Sequence, residues 1–515
     1  MREKIRESEY CELRTGCQVT DRVQSEGGGV VVTYRKSSGA EDSIRASWLV
    51  GADGKKGVVR KHFLEPESGI RQVEGSYRYE GLWIATNLRL KVPTCETHPD
   101  FPLWKLGYVP KQVYNLFWPF GFHFASPPGK PTASGRFGPY HERLWRHEFA
   151  QHDWHDGMDP EALLWEHLTP MITRSGGHSP FKDDKNKYLS WPCGPVAYPL
   201  DCIEVTRCRP FRFAHKVVNR WFEERTILIG DAAHVFPPFG GQGIACGVAD
   251  AHQLAWRLFL LQRLPKLDND SEDGADRTRS YCMLGTWASE REQGVQDAAA
   301  MTRFNGQLCN VGDSFRFWLF RTLAWLSRVI PFVPAIPHPF TAAEKRGISK
   351  LDDGFFLPAF GGGGRVAQIP LLSEHRHVPV LSDRLLGLSG TVLTLLVLGH
   401  DVEEIKERVA HAKEALRTVG QYDAIVSEAS IKAFCPTGSV APVEDMEVFY
   451  PCIEQRIDDL PTKARLSPSV FTDRFRRDAQ FVLVRDDFYI FAQATSQVEL
   501  VECLDEMAIA WPWLE

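Results

Sequence analysis

Two aspartates stand just past short apolar runs, each with glycine beside it. Asp231 follows Arg225-Thr226-Ile227-Leu228-Ile229-Gly230 and precedes Ala232-Ala233-His234-Val235-Phe236-Pro237-Pro238-Phe239-Gly240-Gly241-Gln242-Gly243. Asp53 follows Leu49-Val50-Gly51-Ala52 and precedes Gly54. A carboxylate beyond a buried strand occupies the place where open α/β sheets bind ligands, and it suits the hydroxyls of a polyol. Glycines beside it let backbone approach a flat ligand closely. A helix starting at such glycines offers unpaired N–H groups and a positive dipole end to an electron-rich edge. The outline is that of a cofactor site, with an ordinary strand and turn as the plain alternative.

The positioning elements are legible around both motifs. Ile227 to Ile229 reads as a short buried strand that stops at Gly230. After Gly243 a long helix is predicted, with Ile244, Val248, Ala251, Ala255 and Leu258 as its apolar face. Ile44 to Val50 reads as one strand ending at Gly51, and Val58 to Lys61 as the start of a helix. Upstream, Met1 to Glu9 is helical in character and Val30 to Tyr34 is a strand, with a turn at Ser37-Ser38-Gly39.

This order of motifs resembles the flavoprotein aromatic-ring hydroxylases of the para-hydroxybenzoate hydroxylase type, in the branch related to 3-(3-hydroxyphenyl)propionate hydroxylase and phenol hydroxylase. Gly230-Asp231-Ala232-Ala233-His234, Pro237-Pro238 and the Gly-rich helix start resemble that family's second FAD fingerprint, and Leu49 to Arg60 its Asp-Gly motif. The resemblance implies FAD as cofactor and NADPH or NADH as reductant. It further implies hydroxylation of a phenolic or polyketide-type aromatic by dioxygen, through a flavin C4a-hydroperoxide. By the same resemblance Gly230 belongs to the FAD fingerprint and Asp231 meets the ribityl chain. Pro238, Gly241, Gly243 and Ile244 lie beside the isoalloxazine, while Gly51, Asp53 and Gly54 belong with the pyrophosphate and the reductant path. Ile244-Ala245 replace the family's Met-Asn, which removes an amide from the flavin ring. No general base is assigned, and His215 is expected as a junction histidine. Family members open with a βαβ unit carrying G-x-G-x-x-G, a motif this sequence lacks. The expectation is therefore that about a hundred residues of the family pattern are absent, through a shortened gene product or loss of the ADP-binding half. A non-catalytic flavoprotein remnant and a flavin halogenase or oxidase remain open alternatives.

With 515 residues, 43% apolar and 24% charged, the chain has room for several globular domains. A net charge of −6 gives no basic footprint, so no nucleic acid is expected as partner. The apolar run Leu385 to Gly399 is shorter than the roughly 20 residues of a spanning helix. Twelve cysteines without a C-x-x-C pair or zinc-type spacing are expected as reduced, mostly buried thiols of a cytoplasmic protein, with no metal.

The resulting fold class is α/β and α+β: an incomplete FAD/NAD(P)-binding Rossmann-like domain, an inserted β-sheet substrate domain and a C-terminal thioredoxin-like domain. The expected boundaries are 1–69 and 220–345 for the FAD-binding part, 70–219 for the substrate sheet, 346–370 for a linker and 371–515 for the last domain. Leu82 to Thr86, Tyr114 to Trp118 and Trp191 to Leu200 are expected strands of the substrate sheet. Ser126 to Thr132 and Arg143 to Phe149 loosely resemble the corresponding part of the 3-(3-hydroxyphenyl)propionate hydroxylase branch. Ser280 to Cys309 and Phe315 to Ile330 are expected helices, the second packing on a neighbouring domain. Pro331 to Pro339 and Gly361 to Gly364 read as domain punctuation, the glycines as a flexible connector. A strand at Val392 to Leu398, a helix from Glu403 to Val419, strands around Asp486-Asp487 and a helix capped by Ser496 and Glu499 complete the reading. Lacking C-x-x-C, this last domain is expected to serve structure or homodimer formation.

Overall fold

The computed structural model describes residues 2–512 apart from 26–27, 126–129, 177, 183–187, 192–193, 265–271, 311–314, 330–344, 374–375, 387–389, 421–423, 439–445 and 453–468. The Pro331 to Pro339 punctuation and the Ser126 to Gly129 stretch therefore lie outside the described residues.

Strands β1 (Cys17–Gln24), β2 (Val30–Lys36) and β3 (Glu41–Ala46) form an antiparallel meander. Period-2 burial of Val30, Val32 and Tyr34 fixes which face of β2 points inward. The single strand expected from Ile44 to Val50 is two strands, because β4 (Leu49–Gly51) leaves this meander and enters another sheet. Trp48 lies at the break, with the Arg225 guanidinium over its ring at 4.4 Å.

An antiparallel sheet follows, built from β5 (Glu80–Leu90), β6 (Phe122–Ala125), β7 (Thr132–Phe137), β8 (Leu144–Ala150) and β9 (Ile203–Ala214), in the order β9-β5-β8-β7-β6. Helices α1 (Pro110–Phe117) and α2 (Pro160–Met171) bury Val113, Phe117, Leu164 and Leu168 with Ile84, Leu88, Trp145 and Phe149 of the strands. Tyr114 to Trp118, expected as a strand, belongs to α1 and its C-cap. Pro110 supplies a helix start, the Gln112 side chain accepts from Val109 N at 3.0 Å, and aromatic content alone had suggested β structure.

Strands β10 (Phe222–Glu223) and β11 (Thr226–Leu228) form a hairpin, and β11 runs parallel to β4 with Thr226 opposite Leu49 and Leu228 opposite Gly51. Helix α3 (Gln242–Arg263) packs on α4 (Glu272–Asn310), and α5 (Phe315–Val329) follows with Phe315, Trp318 and Trp325 exposed. No helix among the described residues is long and apolar enough to cross a membrane.

The last sheet joins β12 (Pro370–Ser373), β13 (Arg376–Leu381), β14 (Leu393–Leu398), β15 (Ile431–Phe434), β16 (Val448–Pro451), β17 (Phe481–Arg485) and β18 (Ile490–Ala494), in the order β13-β12-β16-β15-β14-β17-β18. Helix α6 (Val402–Val419) crosses from β14 to its parallel neighbour β15, and α7 (Gln497–Ala510) follows the β17–β18 hairpin. That βαβ unit followed by ββα is the thioredoxin-like arrangement. Its fully buried β14 carries no polar alternation, as a strand covered on both faces requires. At the start of α7 the Ser496 hydroxyl accepts from Glu499 N, while Glu499 reaches back to Thr495 N at 2.7 Å. The glycines at 361–364 are not a flexible connector. Gly363 N donates to Ile490 O and Ile490 N to Gly364 O, both at 2.8 Å, and Ile348, Phe355, Phe356 and Leu357 around them enter the core of this domain.

A buried charge cluster fastens this domain to the helices before it. Arg485 donates to both carboxylate oxygens of Glu290 at 2.7 Å and, through Nε, to Asp487 at 2.9 Å. Arg257 lies 2.8 Å from Glu290, and Trp256 Nε1 donates to Asp487 at 2.9 Å. Burial alone would raise the Glu290 carboxyl, but the Arg257 and Arg485 charges outweigh it and hold it at about 2. Two arginines against two carboxylates leave the cluster neutral.

Candidate functional site

The two aspartate motifs, far apart in sequence, meet in the fold. Since β4 and β11 are parallel neighbours in register, their carboxyl ends deliver Gly51-Ala52-Asp53-Gly54 and Gly230-Asp231 side by side, and Ile229 N donates to Gly51 O at 3.1 Å. Arg60 locks the two loops together: its buried guanidinium donates to Lys55 O at 2.7 Å and to Ala232 O at 3.1 Å. A ligand lying across the ends of both strands meets both loops.

Asp231 is exposed, and a side chain at Gly243 would begin 4.0 Å from its Oδ1, so its carboxylate faces the amino end of α3. Gly241 is the N-cap of that helix with φ +63°, a left-handed conformation that disfavours a side chain, and no side chain caps the helix start. Pro238 is half-buried and its carbonyl accepts from Gly240 N at 2.9 Å, which closes the turn. The neighbouring Phe239 is buried and packs edge-on to Trp83 at 5.3 Å and Tyr79 at 5.9 Å. The glycine turn is thereby anchored to the start of β5.

Asp53 has a structural partner, and the predicted apolar face of α3 is not the face that packs. The Asp53 carboxylate accepts from Val59 N at 3.0 Å and sits over Gly57, where a Cβ would collide with it. Its place is as a cap on the helix start at Val59, shaping the loop that presents Gly54. Ile244 and Val248 are 83% and 60% exposed, and Ala251 and Ala255 are exposed with them. The face of α3 that packs carries Cys246, Asp250, Leu254, Arg257 and Leu260 instead. The apolar-stripe reading failed because Asp250 and Arg257, which look like surface residues, meet buried charged partners.

Asp250 is a residue that sequence reasoning missed. One carboxylate oxygen accepts from Gly230 N at 2.8 Å and His234 Nε2 at 2.7 Å, and the other from Arg291 Nε at 2.7 Å. Burial pushes this carboxyl up, but the His234 hydrogen bond and the Arg291 charge hold it below the usual range. Asp250 thus fixes the Gly230 turn from beneath, and the signal was available: a lone acid eight residues into a helix after a Gly-Asp motif, with an arginine at 291. Lys55 adds positive charge at the rim. Burial, then the neighbouring Lys216, pulls its ammonium below the ordinary lysine range.

Next to the anchored turn, Tyr77, Tyr79, Phe239, Thr302, Arg303, Gly306 and Gln307 line a cavity of about 190 Å³. The Tyr79 hydroxyl accepts from Trp83 Nε1 at 2.9 Å, while the buried Tyr77 hydroxyl has no partner among the described residues. His215 is buried, stacked on Tyr77 at 4.5 Å, with Nδ1 3.3 Å from Val235 O. It is a junction histidine, as expected. Elsewhere the fold gathers His98, Asp201 and Cys202, a grouping that their sequence separation had hidden.

The pattern of the family described as FAD binding domain matches residues 1–192 and 193–263. Over 248 residues the chain is 27% identical to a probable NADH-specific resorcinol 4-hydroxylase of Rhodococcus jostii, covering 48% of this chain and 36% of that protein. It is 45% identical over 241 residues to the tetracenomycin A2 monooxygenase-dioxygenase of Streptomyces glaucescens, covering 45% of this chain and 34% of that one. The chain thus spans little more than a third of the length of these relatives. Among solved structures, aklavinone-11 hydroxylase with FAD and aklavinone superposes with a TM-score of 0.53 at 17% identity, covering 96% of this chain and 74% of that one. An exposed carboxylate facing an uncapped helix start fits a cofactor with polyol hydroxyls and an electron-rich ring edge, which FAD has. The chain belongs to the FAD binding domain family, and the relatives it matches carry the names of aromatic hydroxylases and oxygenases.

Proposed function

We propose that this chain is the FAD-binding and substrate-binding part of an NAD(P)H-consuming monooxygenase that hydroxylates a phenolic or polyketide-type aromatic. The observation that carries the reading is the convergence of Asp231, Gly241 and Gly243 with the Gly51 to Gly54 loop at the ends of two adjacent parallel strands. Asp231 would accept hydrogen bonds from the ribityl hydroxyls of FAD, and the N–H groups at Gln242 and Gly243 would serve its electron-rich ring edge. Gly51, Gly54 and Lys55 lie toward the phosphates, with Asp53 holding their loop in shape. Bound FAD supplies the transfer of reducing equivalents from NADPH or NADH and the activation of dioxygen.

The cavity beside Phe239 holds the aromatic ring. At about 190 Å³ it exceeds the roughly 150 Å³ that accepts benzene in a protein interior. Tyr77 and Tyr79 line this cavity, and burial keeps both phenols neutral. Residues 1–69 and 220–345 act as the FAD-binding part, 70–219 as the roof over the ring and 346–515, including the segment expected as a linker, as a thioredoxin-like module serving a homodimer of a cytoplasmic enzyme. The test is oxidation of NADH and NADPH by the FAD-loaded protein across a panel of resorcinols, phenylpropionates and fused polyketide aromatics. A product heavier by one oxygen atom is expected. Hydrogen peroxide as the sole outcome with every ring, or a halide requirement, would overturn the reading.

A further inference from the structure

The sheet of β5 to β9 carries a side-chain cluster that the flavin reading does not use. Cys202, 3% exposed, closes the short turn Leu200–Cys202 just before β9, with Asp201 beside it. His98 approaches from the loop after β5. Its Nε2 lies 3.2 Å from both carboxylate oxygens of Asp201 and 3.8 Å from Cys202 Sγ, and the three ligand atoms lie within 4.8 Å of one another. Zinc bonds of about 2.0–2.3 Å to N, O and S in a tetrahedron separate N from O by about 3.4 Å and N from S by about 3.6 Å. The two spacings measured from His98 Nε2 lie within about 0.2 Å of the corresponding edges of such a site.

The surroundings prepare the histidine for this role. Thr97 Oγ1 accepts from Thr94 N at 3.0 Å and sits 2.9 Å from His98 Nδ1, so it is placed to accept from Nδ1–H in the tautomer that turns the Nε2 lone pair toward a metal. Trp104 Nε1 donates to His98 O at 2.7 Å, which anchors the loop, and Lys91 N donates to Cys202 O at 2.8 Å, which anchors the turn. A surface His–Asp ion pair explains two of the residues. It leaves unexplained a buried thiol on the same ring nitrogen.

We propose that His98, Asp201 and Cys202 bind a divalent transition metal, with zinc the best match to this nitrogen, oxygen and sulfur donor set and a water in the fourth position. The metal pins the loop after β5 to the start of β9. Twelve residues of β9 separate this site from the junction at His215, about 40 Å along the strand, so it is a centre apart from the flavin loops.

The test is titration of the chelator-treated full chain with Co²⁺ alone, followed by optical absorption. One equivalent of Co²⁺ should give tetrahedral d–d bands and a sulfur-to-cobalt charge-transfer band, all displaced by Zn²⁺. The charge-transfer band should vanish in Cys202→Ser and persist in Cys95→Ser, the exposed thiol on the same loop. Asp201→Asn, at an exposed position that should tolerate the change, should weaken Zn²⁺ binding tenfold or more while leaving the melting temperature without metal unchanged. Absence of the charge-transfer band, its survival in Cys202→Ser, or unchanged Zn²⁺ affinity in Asp201→Asn would each overturn the proposal.

Discussion

The two ends of helix α3 contrast in every physical respect. At its amino end the backbone is bare: Gly241 caps nothing, Ile244 is exposed, and the nearby charge is the free carboxylate of Asp231. Toward its carboxyl end, Trp256 and Arg257 are sealed into a cluster whose charges are all paired, against Glu290, Arg485 and Asp487. Asp250 stands between, buried like the second set but bonded to the Gly230 turn of the first. Unpaired donors at a helix end are a standing offer to a ligand, whereas a charge-paired buried cluster can only hold elements in place. One helix therefore both presents the candidate cofactor loop and ties it to the last domain.

Substitutions should separate these roles by size and by readout. The largest effect is expected from Arg485→Leu, which leaves Glu290 and Asp487 short of a cation. It should cost about 3–5 kcal/mol in denaturant unfolding and leave FAD affinity in the surviving folded protein close to wild type. Asp250→Asn is expected to cost about 1–3 kcal/mol, and unlike Arg485→Leu it should also weaken FAD retention, because the Gly230 turn loses its support.

Asp486 offers a test by pH. Burial, then the neighbouring Asp487, raises its carboxyl to about 7. The folded state therefore holds a proton that the unfolded chain has released. This residue lowers stability as pH climbs from the ordinary carboxylate range through about 7, and costs nothing below that range. Asp486→Asn should raise the melting temperature at pH 8, by a stability gain of about 1–3 kcal/mol, and leave it unchanged at pH 4. The reverse order, or no difference between the two pH values, would remove Asp486 from the account. The smallest effect on stability belongs to Asp231→Ala, within about 0.5 kcal/mol, because the side chain is exposed.

Much of the site was readable because its motifs are local. A strand ending at Gly230, an acid, a Pro-Pro turn and a helix start lie within twenty residues, and the chain order of the two fingerprints places their strands. What escaped were features that depend on distant pairing. Asp250 and Arg257 lie off the predicted apolar face of α3, and only the fold brings His234, Arg291 and Glu290 to meet them. Tyr114 to Trp118 read as a strand because aromatic content outweighed the helix start at Pro110. The glycines at 361–364 read as flexible because nothing local reveals that Ile490 pairs with them. His98 and Cys202 show the same limit, with a sequence separation of 104 between residues whose atoms lie 3.8 Å apart.

The central claim is that the Asp231 carboxylate and the bare start of α3 hold FAD. The most direct measurement is FAD titration of the wild-type chain and Asp231→Ala by flavin fluorescence, with melting curves of both proteins without cofactor. The expected result is saturable binding by the wild type, a dissociation constant about tenfold higher in Asp231→Ala, equivalent to about 1.4 kcal/mol, and superimposable melting curves. Equal FAD affinity in the two proteins, or no binding by a folded wild-type chain, would contradict it.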